Sequence, residues 1–224
     1  NDTLTLYVDV EMSTSGGAII GSAEFVCVGF GPAEPVYSGP IWYVATSGNN
    51  TGGTGSLSDP FLTIQYAVDF AAPGDTITIF DGTYSGQGNT AINIGDKPLT
   101  IQSQSGNRNT CIIDAGGSNG FNFDTANYLQ TEGPVFKNFT TTNADTAFVI
   151  KGESHNGGMD PGNYLISQFN NIQIYNSQTG LHAKFSDVQL TNSYLHSITG
   201  TAVASLYSVF SISDCRISEN GLGF

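Results

Sequence analysis

The sequence contains few basic residues. Its 224 residues include 6 Lys and Arg against 19 Asp and Glu, which gives a formal net charge of −13. Proteins that bind nucleic acids or anionic membrane surfaces neutralise phosphate groups with clusters of Lys and Arg. We therefore exclude nucleic acid as a partner, and the same deficit weighs, less decisively, against an anionic polysaccharide.

Long apolar runs and dense charge are also missing. No segment approaches the roughly 18 consecutive apolar residues of a membrane-spanning helix. Charged residues make up 11% of the chain and hydrophobic residues 39%, with 28 glycines. This composition predicts a folded domain of tight turns and polar ladders. The first residue is Asn and no signal peptide precedes it, so we expect a mature or trimmed chain.

Cysteine is scarce and odd in number. The three cysteines are Cys27, Cys111 and Cys215, and none has the spacing of a metal knuckle. A Cys27–Cys111 bridge fits a secreted protein, but the spacing does not establish it. We interpret Cys215 as a small hydrophobic residue of the core.

What the sequence does contain is a repeat over its last ninety or so residues. Each row has an Asn or Asp at the same place, namely Asn138, Asn171, Asn192 and Asp214, at intervals of 33, 21 and 22 residues. A small residue and an apolar one follow further along each row. These pairs are Ala147-Phe148, Gly180-Leu181, Ala202-Val203 and Gly221-Leu222. A fixed period of this size is typical of a solenoid, and the first interval is longer because it contains an insertion at residues 152–162.

The pattern inside each row indicates strands. Positions two residues apart form columns that we expect to face inward, with polar residues between them. The columns are Phe139/Ile172/Ser193/Cys215 and Thr141/Ile174/Leu195/Ile217. The Asn/Asp column falls where this alternation is interrupted, so we predict a turn. There Asn adopts the left-handed conformation and bonds to the Asn of the next coil, forming a structural ladder; the alternative is coincidental use of Asn in turns.

Residues 41–84 carry the signal of a known family. Ile41-Trp42-Tyr43-Val44 precedes a Gly-rich loop at 47–56, and Gly74-Asp75-Thr76-Ile77 precedes Asp81-Gly82-Thr83-Tyr84. This resembles the opening of secreted right-handed parallel β-helix proteins of the pectin-lyase-like superfamily. With the repeats, the resemblance covers about residues 41–224, and it implies a first strand and a short helix that cap the solenoid.

The residues between these motifs agree with a capping helix. Thr63 can cap its N-terminus, and Pro73-Gly74 can end it. Its apolar face would consist of Ile64, Ala67, Val68 and Ala71. We therefore predict an all-β, right-handed parallel β-helix at 41–224, with about eight coils of about 22 residues and this short helix near its start.

Residues 1–40 are predicted to form an N-terminal β-strand extension and linker. Segments 4–10 and 23–30 alternate between apolar and polar residues, and 31–35 is rich in Gly and Pro. The extension either covers the first coil as a cap or pairs as a strand with a neighbouring subunit.

The resemblance predicts fold and not function, because the superfamily includes lyases, hydrolases, adhesins and fibre proteins. Its pectate lyases use a Ca²⁺-binding acidic cluster with an Arg or Lys base, and its polygalacturonases use Asp residues with Gly-His-Gly and Arg-Ile-Lys motifs. Neither pattern occurs here: His155, His182 and His196 are each flanked differently, and Arg108 and Arg216 stand alone. We therefore favour a protein without catalytic activity or a required cofactor.

The insertion is the best remaining place for an active site. Its candidate residues are Lys151, Glu153, His155 and Asp160. A base beside carboxylates is the minimum for sugar elimination assisted by Ca²⁺, and insertions in repeat folds often map to binding loops. The alternative is that a Gly-Gly-Met-Asp-Pro-Gly loop is an ordinary solvated bulge.

Three sequons suggest glycosylation. Asn-x-Ser/Thr triplets begin at Asn1, Asn49 and Asn138. Asn49 lies in the Gly-rich loop and is the favoured site, whereas Asn138 would have to leave the predicted ladder.

The sequence stops within a coil, at Phe224. An uncovered β-helix end exposes strand edges and apolar columns, so either the native chain continues or another subunit covers the end. Our leading hypothesis is an extracellular or cell-surface structural glycoprotein, a homo-oligomeric subunit of a fibre, filament or tube. The alternatives are a polysaccharide lyase or hydrolase, and a carbohydrate-binding adhesin whose exposed Tyr and Phe on one sheet stack on sugar rings.

Overall fold

The structure is a computed structural model that describes residues 40–127, 130–153, 165–219 and 221. This part of the chain contains one helix, α1 (Ile64–Phe70), and strands β1 to β18. The strands are β1 Ile41–Val44, β2 Thr76–Ile79, β3 Gly82–Ser85, β4 Ile92–Gly95, β5 Thr100–Ser103, β6 Cys111–Asp114, β7 Phe121–Asp124, β8 Glu132–Lys137, β9 Thr140–Thr142, β10 Thr146–Lys151, β11 Leu165–Asn170, β12 Gln173–Tyr175, β13 Thr179–Lys184, β14 Ser186–Thr191, β15 Tyr194–His196, β16 Val203–Leu206, β17 Val209–Ser213 and β18 Arg216–Ser218.

Three parallel sheets surround the core. Sheet 1 has the order β1-β2-β5-β8-β11-β14-β17, sheet 2 the order β3-β6-β9-β12-β15-β18, and sheet 3 the order β4-β7-β10-β13-β16. From β2 onward the chain visits sheets 1, 2 and 3 in turn, and each strand pairs with its equivalent one coil later. This is a right-handed parallel β-helix, which confirms the predicted fold. Sheet 1 has seven described strands, one fewer than the about eight coils expected from the repeat.

The described chain forms seven coils. The first coil contributes β1, and each coil from the second to the sixth contributes three strands, beginning with β2–β4 and ending with β14–β16. The seventh contributes β17 and β18. No helix in the described ranges is long and apolar enough to cross a membrane. Residues 1–39 lie outside those ranges, so the predicted N-terminal extension stays a prediction.

The inward columns are confirmed by burial. Phe139 and Ile172 are fully buried, Ser193 is buried, and Thr141, Ile174 and Leu195 are fully buried. Cys215 and Ile217, in the seventh coil, are partly buried and packed against the same core. The small residues of the repeat are explained as well: a Cβ on Gly180 would run into the carbonyl oxygen of Ala202 in the next coil.

Phenylalanine fills the middle of the solenoid. The five phenylalanines of this cluster are fully buried and come from the third, fourth and fifth coils: Phe121, Phe136, Phe139, Phe148 and Phe169. The centroids of Phe136 and Phe148 are 4.8 Å apart, and those of Phe148 and Phe169 are 5.0 Å apart, both pairs edge to face. Edge-to-face contacts at this distance add to the free energy gained by burial.

The capping helix forms as the sequence predicts. Thr63 is extended and its side-chain oxygen accepts a hydrogen bond from the Tyr66 amide, and Ile64, Ala67 and Val68 are buried against the core. Just beyond the helix, the buried Asp75 accepts from the Trp42 indole at 2.8 Å. This bond ties the loop that follows α1 to the first strand.

The loop between β5 and β6, residues 104–110, crosses several coils and is called the strap below. The Thr140 hydroxyl of the fourth coil donates to the Arg108 carbonyl at 2.7 Å, and the Asn171 amide of the fifth coil donates to the Gly106 carbonyl at 3.3 Å. The Arg108 guanidinium donates to the Asn192 carbonyl of the sixth coil at 3.0 Å. The strap therefore fastens the third coil to the three that follow it.

Cys111, one partner of the suggested disulfide bridge, lies in the core. It is a free thiol, fully buried in β6. Burial, followed by the charge of Asp81, raises its pKa to about 12. Cys111 is thus a small core residue of the same kind as Cys215, while Cys27 lies outside the described residues.

Candidate functional site

The insertion residues are only partly described. Lys151 ends β10, and its Nζ lies 3.5 Å from an Asp124 carboxylate oxygen on the neighbouring strand β7. The two side chains are 43% and 64% exposed, and exposed ion pairs of this kind contribute about 0–1 kcal/mol. Glu153 is exposed, while His155 and Asp160 lie outside the described residues. The structure thus places Asp124 beside Lys151, and the proposed active site of Lys151, Glu153, His155 and Asp160 stays a prediction.

The same column of sheet 3 continues with a second lysine. Lys184 pairs in register with Lys151, and its ammonium lies 4.9 Å from the ring centroid of Phe185. In the parts of the chain that the structure describes, no group of three or more His, Cys, Asp or Glu residues could hold a metal ion. The described side of this surface is a solvated charged patch.

The Asn/Asp column is a row of left-handed turns. The φ angles of its four members lie between 49° and 64°: Asn138, Asn171, Asn192 and Asp214. The Asn171 amide donates to the Asn138 side-chain oxygen at 3.0 Å, so one rung of the ladder is present. Between Asn171 and the turn of the next coil, the hydrogen bond is made by the backbone: the Asn171 backbone N–H donates to the Thr191 carbonyl at 3.0 Å. The turn conformation explains why Asn recurs, since it is among the few residues that adopt this region readily.

The sequons differ in accessibility. Asn49 is exposed, and its side-chain oxygen accepts a hydrogen bond from the Thr51 amide of the same sequon at 2.9 Å. Asn138 is held in the ladder, and the next two residues of its sequon, Phe139 and Thr140, are buried. Asn1 lies outside the described residues. Of the two described sequons, only that of Asn49 is presented to solvent.

The seventh coil has an uncovered face. Phe210 and Ile212 of β17 pair with Val188 and Leu190, which are buried at 0% and 1% exposure. Ile212 nevertheless remains 38% exposed, because no described coil packs on its other side. Exposed strand edges and apolar residues of this kind favour further pairing.

An aromatic group on sheet 2 contains His196 and was not among the candidate sites predicted from the sequence. Tyr175 and His196 are register partners on β12 and β15, and their rings stack 5.4 Å apart. The Tyr194 ring stacks on His196 at 4.2 Å, and the Arg216 guanidinium lies 5.2 Å from the Tyr194 centroid. The signal was present, because the 21-residue period places Tyr175 directly above His196 and Gln173 above Tyr194.

Comparison with known proteins supports the fold. No protein-family model and no curated protein matches the chain. Among solved structures, a rhamnogalacturonan lyase is similar with a TM-score of 0.50 and 11% sequence identity, over 82% of this chain and 56% of the lyase. The chain thus spans little more than half the length of that protein. The chain has the parallel β-helix fold that its sequence predicts, and the likeness shows the fold alone.

Proposed function

We propose that this chain is a non-catalytic extracellular structural protein whose β-helix assembles with further copies through its β edges into a fibre, filament or surface layer. The observation that supports this proposal is the apolar face of β17 and β18, against which no described residue packs on the outer side. There the inward columns continue in register: Phe210, Cys215 and Ile217 pack against the core, and Ile212 is paired with Leu190 but is 38% exposed. A further β layer, from a second copy or from additional coils of the same chain, would remove these apolar side chains and the edges of β17 and β18 from water.

The proposed occupant is the N-terminal segment of a second copy. Residues 4–10, Leu4-Thr5-Leu6-Tyr7-Val8-Asp9-Val10, alternate between apolar and polar side chains. Adding such a strand to an exposed sheet edge gives affinity through the backbone and specificity through alternate side chains. The opposite end is less available, because α1 buries Ile64, Ala67 and Val68 against the core there.

The test is the concentration dependence of assembly in the full-length chain. Light scattering and electron microscopy should show ordered oligomers that disappear when Ile212 is replaced by Lys or when Leu6 is replaced by Lys. The matched control is Leu57→Lys, since Leu57 is 57% exposed directly after the Gly-rich loop and takes no part in the proposed contact. A chain that stays monomeric at high concentration contradicts the proposal.

The alternative is a polysaccharide lyase, and the rhamnogalacturonan lyase likeness favours it only at the level of fold. Lyase action on acidic pectic polymers would create unsaturated sugar ends that absorb in the ultraviolet. We expect no such product. Product formation that is lost in Lys151→Ala, but kept in Lys184→Ala, would replace the structural proposal with the enzymatic one.

We also propose N-glycosylation at Asn49, in keeping with an extracellular protein. The support is the exposure of Asn49 and its bond to Thr51 in the same sequon. Expression in a eukaryotic secretory host followed by peptide mass spectrometry tests this. A glycan on Asn138 instead of Asn49 would contradict it and would require the ladder turn to be open when the sugar is attached.

A further inference from the structure

The aromatic group of sheet 2 lines a groove that the assembly proposal does not use. Its walls are the strap on one side and the outward face of β9, β12 and β15 on the other. The cavity has a volume of about 220 Å³ and is lined by Asn109, Ile112, Thr140, Gln173, Tyr175 and His196. We call it the Tyr–His groove.

The groove is held in shape by hydrogen bonds. Gln173 and His196 approach to 3.0 Å through their side-chain nitrogens. A Gln amide nitrogen only donates, so the Nε2 atom of His196 must accept and its ring proton lies on Nδ1, 3.2 Å from the Ser197 hydroxyl. On the other side, the Thr140 hydroxyl holds the Arg108 carbonyl and thereby the strap residue next to Asn109. A site whose side chains are already fixed loses little entropy when a ligand binds.

The lining has the chemistry of a site for an uncharged, polyhydroxylated ring. It combines the Tyr175 ring and the Ile112 side chain with the amides of Gln173 and Asn109, and it contains no carboxylate and no lysine. Apolar or aromatic surface with a few polar groups is the usual composition of small-molecule sites. Asn109 is exposed, and its side-chain amide has no hydrogen-bond partner within the described residues, so it is available to a ligand.

Charge argues against an acidic ligand. Burial is the main cause that lowers the pKa of His196, with Glu219 opposing the shift and Arg216 adding to it. The neutral form of the imidazole is therefore favoured. The guanidinium of Arg108 is directed to the Asn192 carbonyl, and that of Arg216 lies over Tyr194, while the whole chain carries a net charge of −13.

We propose that the Tyr–His groove binds one uncharged sugar ring of a glycan, stacked against Tyr175 and hydrogen-bonded by Gln173 and Asn109. Its volume of about 220 Å³ lies below the roughly 300–1,000 Å³ of sites for drug-sized ligands, which limits it to about one ring. This inference does not depend on the proposed assembly, since the groove faces sideways from sheet 2 and not along the solenoid axis.

The test is titration of the full-length chain with neutral oligosaccharides of glucose, mannose, galactose and xylose, followed by calorimetry. We expect at least one to bind. Tyr175→Ala should weaken that binding about tenfold, equivalent to about 1.4 kcal/mol, and Gln173→Ala should weaken it as well. Tyr175→Phe should retain most of the affinity, because it keeps the ring.

The control variant is Tyr207→Ala, because Tyr207 is 55% exposed and stacks on Phe185 outside the groove. It should bind as the unchanged protein does. Circular dichroism of Tyr175→Ala establishes that lost binding is not lost folding. The proposal is overturned if no neutral sugar binds at millimolar concentration, if oligogalacturonate binds more tightly than every neutral sugar, or if Tyr175→Ala and Tyr207→Ala behave alike.

Discussion

Replacing Asn171 with alanine tests the ladder, and Asn192 provides the matched control. The two residues have nearly the same backbone, with φ angles of 55° and 49°. Alanine in this left-handed region costs roughly 1–2 kcal/mol at either position. Asn171 also donates side-chain bonds to Asn138 and Gly106, whereas the Asn192 side chain has no hydrogen bond among the described residues. A net hydrogen bond contributes about 1 kcal/mol.

We therefore expect Asn171→Ala, which loses both side-chain bonds, to lower the free energy of unfolding by about 3–4 kcal/mol and Asn192→Ala by about 1–2 kcal/mol. Glycine reaches positive φ without strain, so Asn→Gly should be milder than Asn→Ala at both sites. The measurement is urea unfolding followed by circular dichroism. Equal destabilisation of the two alanine variants would contradict a stabilising role for the Asn171 side chain. Glycine variants that are less stable than the alanine variants at both positions would contradict the cost assigned to positive φ.

Three further predictions concern the core and the titrating groups. Phe148→Ala should lower the free energy of unfolding by about 3–5 kcal/mol, as large aromatic truncations in cores do. Phe70→Ala should lower it much less, because Phe70 is 53% exposed. Urea unfolding of the two variants tests this difference. Burial raises the pKa of Cys111 to about 12. Iodoacetamide at pH 8 should therefore alkylate Cys215 and leave Cys111 unmodified until urea unfolds the chain. Peptide mass spectrometry identifies the labelled cysteines, and labelling of both in the native state contradicts this prediction. Burial lowers the pKa of His196 in the folded chain, so the unfolded chain binds its proton first and stability should fall as pH drops below about 7. In thermal unfolding, the His196→Gln variant should lose less stability as the pH falls than the unchanged protein does. A pH profile of stability that is the same for both proteins would contradict this prediction.

The repeat was enough to predict the solenoid, because it reflects interactions between neighbouring coils. The Asn at 138, 171 and 192 recurs since each turn needs a residue that tolerates positive φ. The buried pair Ile172 and Ile174 follows from strand alternation. Thr63 was predictable as a helix cap because capping depends on residues only three positions apart.

Features that join distant or non-repeating residues were not predictable in this way. Arg108 meets Asn192 across 84 positions, and the strap that brings them together has no counterpart in the repeat. The groove depends on this strap, so its Asn109 wall could not be found from the sequence. The burial of Cys111 was not predictable from the number of cysteines either, because that number does not say that the side chain points into the core from β6.

The strap also alters how the solenoid should come apart. Coils that touch only their neighbours can peel away one at a time from an end, each with its own small free energy. Here the seventh coil can detach alone, but removing the sixth requires breaking the Arg108 bond to Asn192, and removing the fifth requires breaking the Asn171 bond to Gly106. Coils that follow the sixth should therefore detach without disturbing the strap, whereas removal of the sixth should meet resistance, so that the strap acts as a mechanical stop within an otherwise modular protein.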